Sequence, residues 1–199
     1  MMRRILLLTI LLTAALLFPP NVLADTPLES IQKQVNNVLD VLREPGIKNG
    51  TAKDALEERI LAIAEDIFDY NELSRRALGQ NWKKLNVKEK EEFTDLFSTL
   101  LAGVYMDRIV TYTDEKVIFE KENMFSENQG EVQSKVITGS TEISIYYRVI
   151  RKDGNWKVYD VIIEGVSLIK NYRGQFRQIL TNRSPEYLLQ VLRKKVARA

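Results

Sequence analysis

The chain has 199 residues, with 29 Lys and Arg, 27 Asp and Glu, no Cys and no His. These absences exclude Cys nucleophiles, Cys or His zinc sites and a Ser-His-Asp relay, so we predict no metal site. Without residues 1–24 the remaining chain holds 27 basic and 27 acidic residues. Nucleic-acid binders normally carry a basic excess, so we predict no nucleic-acid partner.

The first 24 residues have the three parts of a secretory signal peptide. Arg3 and Arg4 precede an apolar run at 5–18, and small residues at Val22 and Ala24 mark a cleavage site. A membrane-spanning helix needs about 20 apolar residues, so an uncleaved anchor is the weaker alternative. We predict cleavage after Ala24 and a mature chain that is soluble outside the cytoplasm.

Apolar residues recur at helical spacing on both sides of a central region that lacks this spacing. Asn86 and Glu89 predict a capping box at the start of a long helix, and Ser184 with Pro185 predicts the start of the last one. The predicted helices cover 28–42, 56–67, 73–78, 87–112, 166–180 and the residues after 185.

The central region is rich in β-branched and aromatic residues and predicts four strands at 117–120, 131–138, 142–151 and 156–164. Short turns between consecutive strands predict an antiparallel meander, with 123–130 as one hairpin loop. We therefore predict an α+β fold in which a helical layer packs on a curved antiparallel sheet of about four strands. One domain covers 25–199, with 25–112 mainly helical, 116–164 forming the sheet and 165–199 forming C-terminal helices.

The fourth predicted strand is apolar on both faces, whereas the third has one apolar face and one face that suits solvent. A strand that is apolar on both faces is covered on both, or is open to a cavity on one. Ordinary core and an apolar cleft between the sheet and the long helix both fit this pattern. Asp160 and Glu164 lie roughly 13 Å apart along the strand, too far for a glycosidase pair, and we interpret them as solvated or capping carboxylates.

The segment 156–176, WKVYDVIIEGVSLIKNYRGQF, resembles the MlaC family of periplasmic phospholipid-binding proteins, also described as toluene-tolerance auxiliary proteins. The similarity continues upstream at residues 77–79, Trp82, 84–85 and 91–105. Many members carry a Gly-containing turn before the last helix, where this chain has residues 181–185 without Gly. The resemblance covers most of the chain after residue 24.

The resemblance implies a monomeric periplasmic carrier of phospholipid that is not an enzyme and needs no cofactor. It implies two partners, an outer-membrane lipoprotein complex and an inner-membrane ABC transporter with an MCE-type subunit. Its role would be to maintain the lipid asymmetry of the outer membrane. It also implies a sheet region similar to nuclear-transport-factor-like domains, with an apolar cavity between sheet and helices.

Under this interpretation the long helix, the third and fourth strands and the following helix line a cavity for lipid tails. Val158 and Ile163 point to opposite faces of a regular strand, so both can line it only if the strand bends or contains a bulge. Arg173 is placed at the rim as a cation for a headgroup or a partner. The predicted lining residues are Phe97, Leu101, Tyr105, Tyr147, Val149, Val158, Ile163, Val166, Ile169 and Tyr172.

Three alternatives remain open at this stage. A carrier of another apolar ligand, such as a hopanoid, would need the same cavity. A non-catalytic interaction module would have a solid core instead. A hydrolase or isomerase in a cone-shaped sheet is disfavoured because the chain has no His.

Overall fold

The computed structural model describes residues 25–44, 53–111 and 115–197. The predicted signal peptide at 1–24 and the end of the long helix at Tyr112 lie outside these ranges. The described residues form six α-helices, one 3-10 helix and an open sheet of five strands, which confirms the α+β prediction. No helix within these ranges has the length and apolar character needed to cross a membrane.

The helices flank the sheet in the chain, as the sequence predicts. The helices are α1 (Pro27–Leu42), α2 (Lys53–Ile67), α3 (Tyr70–Leu78), a 3-10 helix (Gly79–Lys84), α4 (Val87–Val110), α5 (Leu168–Asn182) and α6 (Pro185–Val196). The strands are β1 (Lys116–Ser126), β2 (Gln129–Thr138), β3 (Thr141–Lys152), β4 (Asn155–Ile163) and β5 (Val166–Ser167).

The helix starts follow from local capping chemistry. The Asn86 side chain accepts a hydrogen bond from the Glu89 backbone N–H, and the Glu89 carboxylate accepts one from the Asn86 N–H, which confirms the predicted capping box. The Ser184 hydroxyl accepts from the backbone N–H of Tyr187 at the start of α6, with Pro185 in its first turn. These caps fix where α4 and α6 begin.

The sheet is an antiparallel meander in the order β1-β2-β3-β4-β5. The predicted hairpin loop at 123–130 is wrong, because β1 continues to Ser126 and only Glu127 and Asn128 form the turn. Two register shifts, at Phe119/Lys121 and Met124/Ser126, break the alternation of side chains in β1. A bulged strand with a mostly exposed second half shows no period-2 signal in its sequence.

Two segments of the chain cover the edge of β4 that faces away from β3. Glu164 and Gly165 turn the chain with positive φ angles of 48° and 78°, and β5 pairs back onto the end of β4. Near the start of β4, the Asp69 backbone N–H donates to the Val158 carbonyl at 3.0 Å. Val166, predicted as a helix residue, therefore belongs to β5, and α5 begins two residues later at Leu168.

A β-bulge in β4 decides which residues of that strand share a face. Val158 pairs with Val149, and Asp160 pairs with the adjacent Arg148, so Tyr159 is the extra residue. Beyond the bulge, Val161 lies on the same face as Val158, and both pack in the same core. Ile163 follows two residues later and also shares this face, so the bulge removes the conflict that a regular strand would create.

Buried apolar residues form three cores. The helical core lies between α3, α4, α5 and α6, and its members include Phe93, Phe97, Ile169, Tyr172, Phe176 and Leu189. The sheet core joins α1 and α2 to one face of the sheet through Ile31, Ile67, Val132, Val149, Trp156 and Val158. The α1–α2–α4 core contains Leu39, Val41, Leu42, Leu56, Ile60 and Met106.

Asp160 is a buried carboxylate that joins the sheet to α5. It is 3% exposed and accepts hydrogen bonds from the Ser167 hydroxyl at 2.6 Å and the Ile169 backbone N–H at 3.1 Å. The Arg148 guanidinium lies 3.8 Å away, on a sheet face that is half-buried rather than open to solvent as the sequence suggested. Asp160 thus caps α5, which is one of the two roles that the sequence suggested for this carboxylate.

We expect Asp160→Asn to lower the free energy of unfolding by about 1–3 kcal/mol, because an amide nitrogen replaces one acceptor oxygen in a buried site. Denaturation in urea measures the change. Asp153→Asn is the matched control, since it removes the same charge from an exposed turn position with φ of 50° that Asn tolerates. Equal stability of the two variants would contradict the assigned role of Asp160.

Candidate functional site

The apolar face of the sheet extends past the part that α1 and α2 cover. Ile145 pairs with Ile163 across β3 and β4, and Ile143 pairs with Val136 across β3 and β2. These four side chains share the face of Tyr147 but remain half-buried, unlike Val149 and Val158 in the sheet core. This half of the face is therefore an apolar wall with accessible surface.

The long helix α4 contributes to two cores, and half-buried residues lie between its two deeply buried positions. Its Phe97 is fully buried in the helical core, and Met106 is buried in the α1–α2–α4 core. Leu101 and Tyr105 lie between these positions and are half-buried. Burial raises the pKa of Tyr105. Burial is also the main cause of the raised pKa of Tyr172, and the charge of ionised Tyr105 raises that pKa further. The two tyrosines therefore interact electrostatically, Tyr172 from within the helical core and Tyr105 from its half-buried position on α4.

Tyr147 combines depth in the molecule with accessible surface. Burial raises the pKa of Tyr147 to about 12, and a hydrogen bond with Ser134 opposes that rise. Its side chain is nevertheless only half-buried, and it packs at the border of the sheet core. A side chain that borders a core and keeps accessible surface is in a position to line a cleft.

The structure divides the predicted lining residues by depth. Phe97, Val149, Val158, Ile169 and Tyr172 are buried within the helical or sheet cores. Leu101, Tyr105, Tyr147 and Ile163 keep accessible surface, and we call these four the candidate cleft residues. Val166 is 61% exposed in β5. Contact of any of them with a ligand stays a prediction.

The predicted lining residues do not include Ile143 and Ile145, although the structure places both on the face of Tyr147. Their alternation with Tyr147 along β3 was a signal that could have found them. The predicted lining residues also omit Phe68, which packs against both the helical and the sheet cores. No local pattern marks Phe68, because its role depends on the contact between the α2–α3 junction and β4.

Arg173 lies on the exposed side of α5 and contacts the end of α3. Its Nε donates to the Arg76 carbonyl oxygen at 2.7 Å, and its side chain runs beside Gly79. Gly79 has a φ of 56°, which favours glycine at the end of a helix. Arg173 therefore satisfies a carbonyl of the last turn of α3, and its role at the cleft rim stays a prediction.

The chemistry of the candidate cleft is that of an apolar surface. The candidate cleft residues are two aliphatic side chains and two tyrosines, and the Ser134 hydroxyl, which donates to the Ile145 carbonyl, also bonds to Tyr147. Among the described residues, no cluster of His, Cys, Asp and Glu could hold a metal ion. Two shallow pockets lie elsewhere, on the outer face of α2 and beside the β3–β4 turn near Lys152.

Comparison with known proteins gives one family and several relatives. The family model "MlaC protein" matches residues 32–194. The intermembrane phospholipid transport system binding protein MlaC of Haemophilus influenzae is 28% identical over 124 residues, which are 56% of this chain and 58% of that protein. The toluene tolerance protein ttg2D of Pseudomonas putida is 22% identical over 157 residues, 78% of this chain and 73% of that protein.

A solved structure shares the fold. The phospholipid-binding protein of Ralstonia solanacearum, determined in complex with a phospholipid, superposes with a TM-score of 0.80 at 21% identity. The match covers 87% of this chain and 98% of that one. The arrangement of helices and sheet described above is therefore found in a known structure.

The raised pKa of Tyr147 predicts a specific dependence of stability on pH. Its ordinary value is 10.0, so the folded state holds the proton more tightly than the unfolded state does. The resulting stabilisation is complete below pH 10 and is lost as the pH rises toward 12. Between these values, we expect the free energy of unfolding to fall less steeply in Tyr147→Phe than in the unmodified protein.

The measurement is urea denaturation at a series of alkaline pH values. Tyr187→Phe is the control, because it removes the same hydroxyl from an exposed side chain. An unchanged slope in Tyr147→Phe would show that Tyr147 is not deeply buried.

Proposed function

The chain belongs to the MlaC family, and from this premise we propose that it carries phospholipid, with the acyl tails held against the candidate cleft residues. The observation that carries this proposal is Tyr147, which packs against the sheet core yet keeps accessible surface on an apolar sheet face. A relative named as a phospholipid transport binding protein and a structural neighbour with a bound phospholipid support it.

The energetics of lipid transfer explain why such a protein needs an apolar cleft. Two acyl chains hold about 28 methylenes, and exposing them to water costs about 20 kcal/mol at roughly 0.8 kcal/mol each. A lipid will not cross water unaided at a useful rate. A carrier lowers this barrier by covering the tails, and it needs no reactive group at the headgroup.

We further propose where the carrier works. It would act in the periplasm after removal of residues 1–24, as a monomer and without catalysis. It would exchange phospholipid between an outer-membrane lipoprotein complex and an inner-membrane ABC transporter with an MCE-type subunit, and so maintain outer-membrane asymmetry. The name of the Haemophilus influenzae relative, an intermembrane phospholipid transport protein, supports this assignment.

A charge placed on the cleft wall should reduce bound lipid. We expect Leu101→Asp and Ile163→Asp each to lower the phospholipid content of the purified protein at least about tenfold, because a carboxylate is poorly solvated against acyl chains. Native mass spectrometry measures the lipid-bound fraction. Leu61→Asp is the matched control, since Leu61 is exposed on α2 and should keep the normal content.

The same spectra distinguish the alternatives. Circular dichroism verifies folding, and Ile163→Trp fills the cleft without adding a charge if either Asp variant fails to fold. Wild-type lipid content in folded Ile163→Trp and Leu101→Asp would contradict the assigned walls. A bound mass that fits a hopanoid would change the ligand, and a protein without any bound lipid would favour the interaction module.

Arg173 allows a test of the rim hypothesis. We expect Arg173→Ala to lose about 1 kcal/mol of stability with its bond to the Arg76 carbonyl, and also to lose phospholipid occupancy if its guanidinium binds the phosphate. Arg173→Lys keeps the charge but not the planar fork, so it should recover only part of the occupancy. Thermal denaturation and native mass spectrometry separate the two effects. Full occupancy in Arg173→Ala would leave Arg173 as a structural residue alone.

A further inference from the structure

The near-neutral chain has a strongly asymmetric charge distribution. Residues 25–44, 53–69 and 115–167, which form the sheet with α1 and α2, hold 11 Lys and Arg against 19 Asp and Glu. Residues 70–111 and 168–197, which form the helices from α3 to α6, hold 14 Lys and Arg against 7 Asp and Glu. The protein therefore has an acidic sheet side and a basic helical side.

The excess of basic over acidic residues on the helical side lies mainly in the last two helices. The α5–α6 hairpin, residues 168–197, contains seven Lys and Arg, all exposed, and one acidic residue. That residue, Glu186, already pairs with Arg193 at 3.0 Å. The apolar sides of both helices are buried in the helical core, so the charged side chains face outward. We call this outward surface the basic hairpin; its cations are Lys170, Arg173, Arg177, Arg183, Arg193, Lys194 and Lys195.

We propose that the basic hairpin binds the surface of an anionic lipid bilayer and so orients the protein when it meets a membrane. Lys170, Arg173 and Arg177 are spaced at i, i+3 and i+7, which places them along one stripe of α5. Arg183 lies in the connection to α6, and the other three cations lie in the last turn of α6. An extended set of outward-facing charges suits a planar array of phosphates, whereas a small anion needs a concave site.

Salt screening explains how a chain with balanced charges can bind an anionic surface. The Debye length is about 8 Å at physiological ionic strength, so charges farther than this from the bilayer contribute little. Of the 26 acidic residues in the described ranges, 19 belong to the sheet side. Arg193 pairs with both Glu186 and Glu92, whereas the six other cations of the basic hairpin have no carboxylate partner among the described residues. Their attraction to an anionic surface is therefore not cancelled by a direct ion pair.

A bilayer fits the basic hairpin better than an acidic protein does. Stable protein interfaces centre on large apolar or aromatic anchors surrounded by a polar rim. Tyr187 is the only aromatic side chain among the exposed large hydrophobic residues of the basic hairpin, and Arg183 lies over its ring. A surface with many cations and little exposed apolar area indicates reversible, salt-sensitive attraction, which a carrier needs in order to leave the membrane again.

The test is co-sedimentation of the purified protein with vesicles of phosphatidylcholine alone or with added phosphatidylglycerol, at low and high salt. The variant Lys170→Glu/Arg177→Glu changes two exposed cations that lie outside the candidate cleft and make no assigned structural contact. We expect it to weaken binding to the anionic vesicles at least about tenfold. Lys33→Glu/Lys121→Glu is the control, because it makes the same charge change on the acidic side at two exposed positions.

The proposal is supported if the unmodified protein binds only the anionic vesicles, salt releases it, and the control variant binds normally. It is overturned if the unmodified protein binds neither kind of vesicle, which would leave an acidic protein surface as the occupant of the basic hairpin. Equal binding of both charge variants would also overturn it. Native mass spectrometry of the same variants reads bound phospholipid separately, so a failure of the carrier function is distinguishable from a failure of membrane binding.

Discussion

The position of the helical core depends on the buried carboxylate of Asp160. The bulge at Tyr159 places Asp160 opposite Arg148, and its two oxygens accept hydrogen bonds from the Ser167 hydroxyl and the Ile169 backbone. These bonds fix the first turn of α5 against β4. Because α5 starts there, Ile169 and Tyr172 reach the helical core, where the ring centroids of Tyr172 and Phe97 lie 4.9 Å apart. A single interaction thus links sheet geometry to helix packing.

Periodicity predicted the faces of the elements but not how deeply each residue is buried. The sequence correctly placed Phe97 and Leu101 on one stripe of the long helix, since they are four residues apart. Phe97 is nevertheless fully enclosed while Leu101 keeps accessible surface. That difference depends on where α5 and α6 stop covering α4, and a hydrophobic pattern does not record it. The same limit separates Val149 from Ile145 on β3.

Features that depend on non-local pairing were the ones that sequence reasoning missed. The two apolar faces predicted for a regular β4 are partly the result of a bulge, which brings Val161 to the face of Val158. The β4–β5 hairpin was interpreted as the start of a helix because Val166 fits a helical spacing. Both features are stabilised by partners distant in sequence, including Ser144, whose backbone N–H donates to the Glu164 carboxylate. The antiparallel meander itself was predictable because its turns are short and local.

Composition has a similar limit, because the net charge of a chain does not tell where its charged residues lie in the fold. The equal numbers of acidic and basic residues after residue 24 argue against a protein covered in positive charge. The fold then sorts those charges, placing seven cations and one acidic residue in the last two helices. Over distances longer than the Debye length each side of the molecule acts almost independently. The charge that acts on a membrane or a partner is therefore the charge of the exposed face that meets it, and not the net charge of the chain.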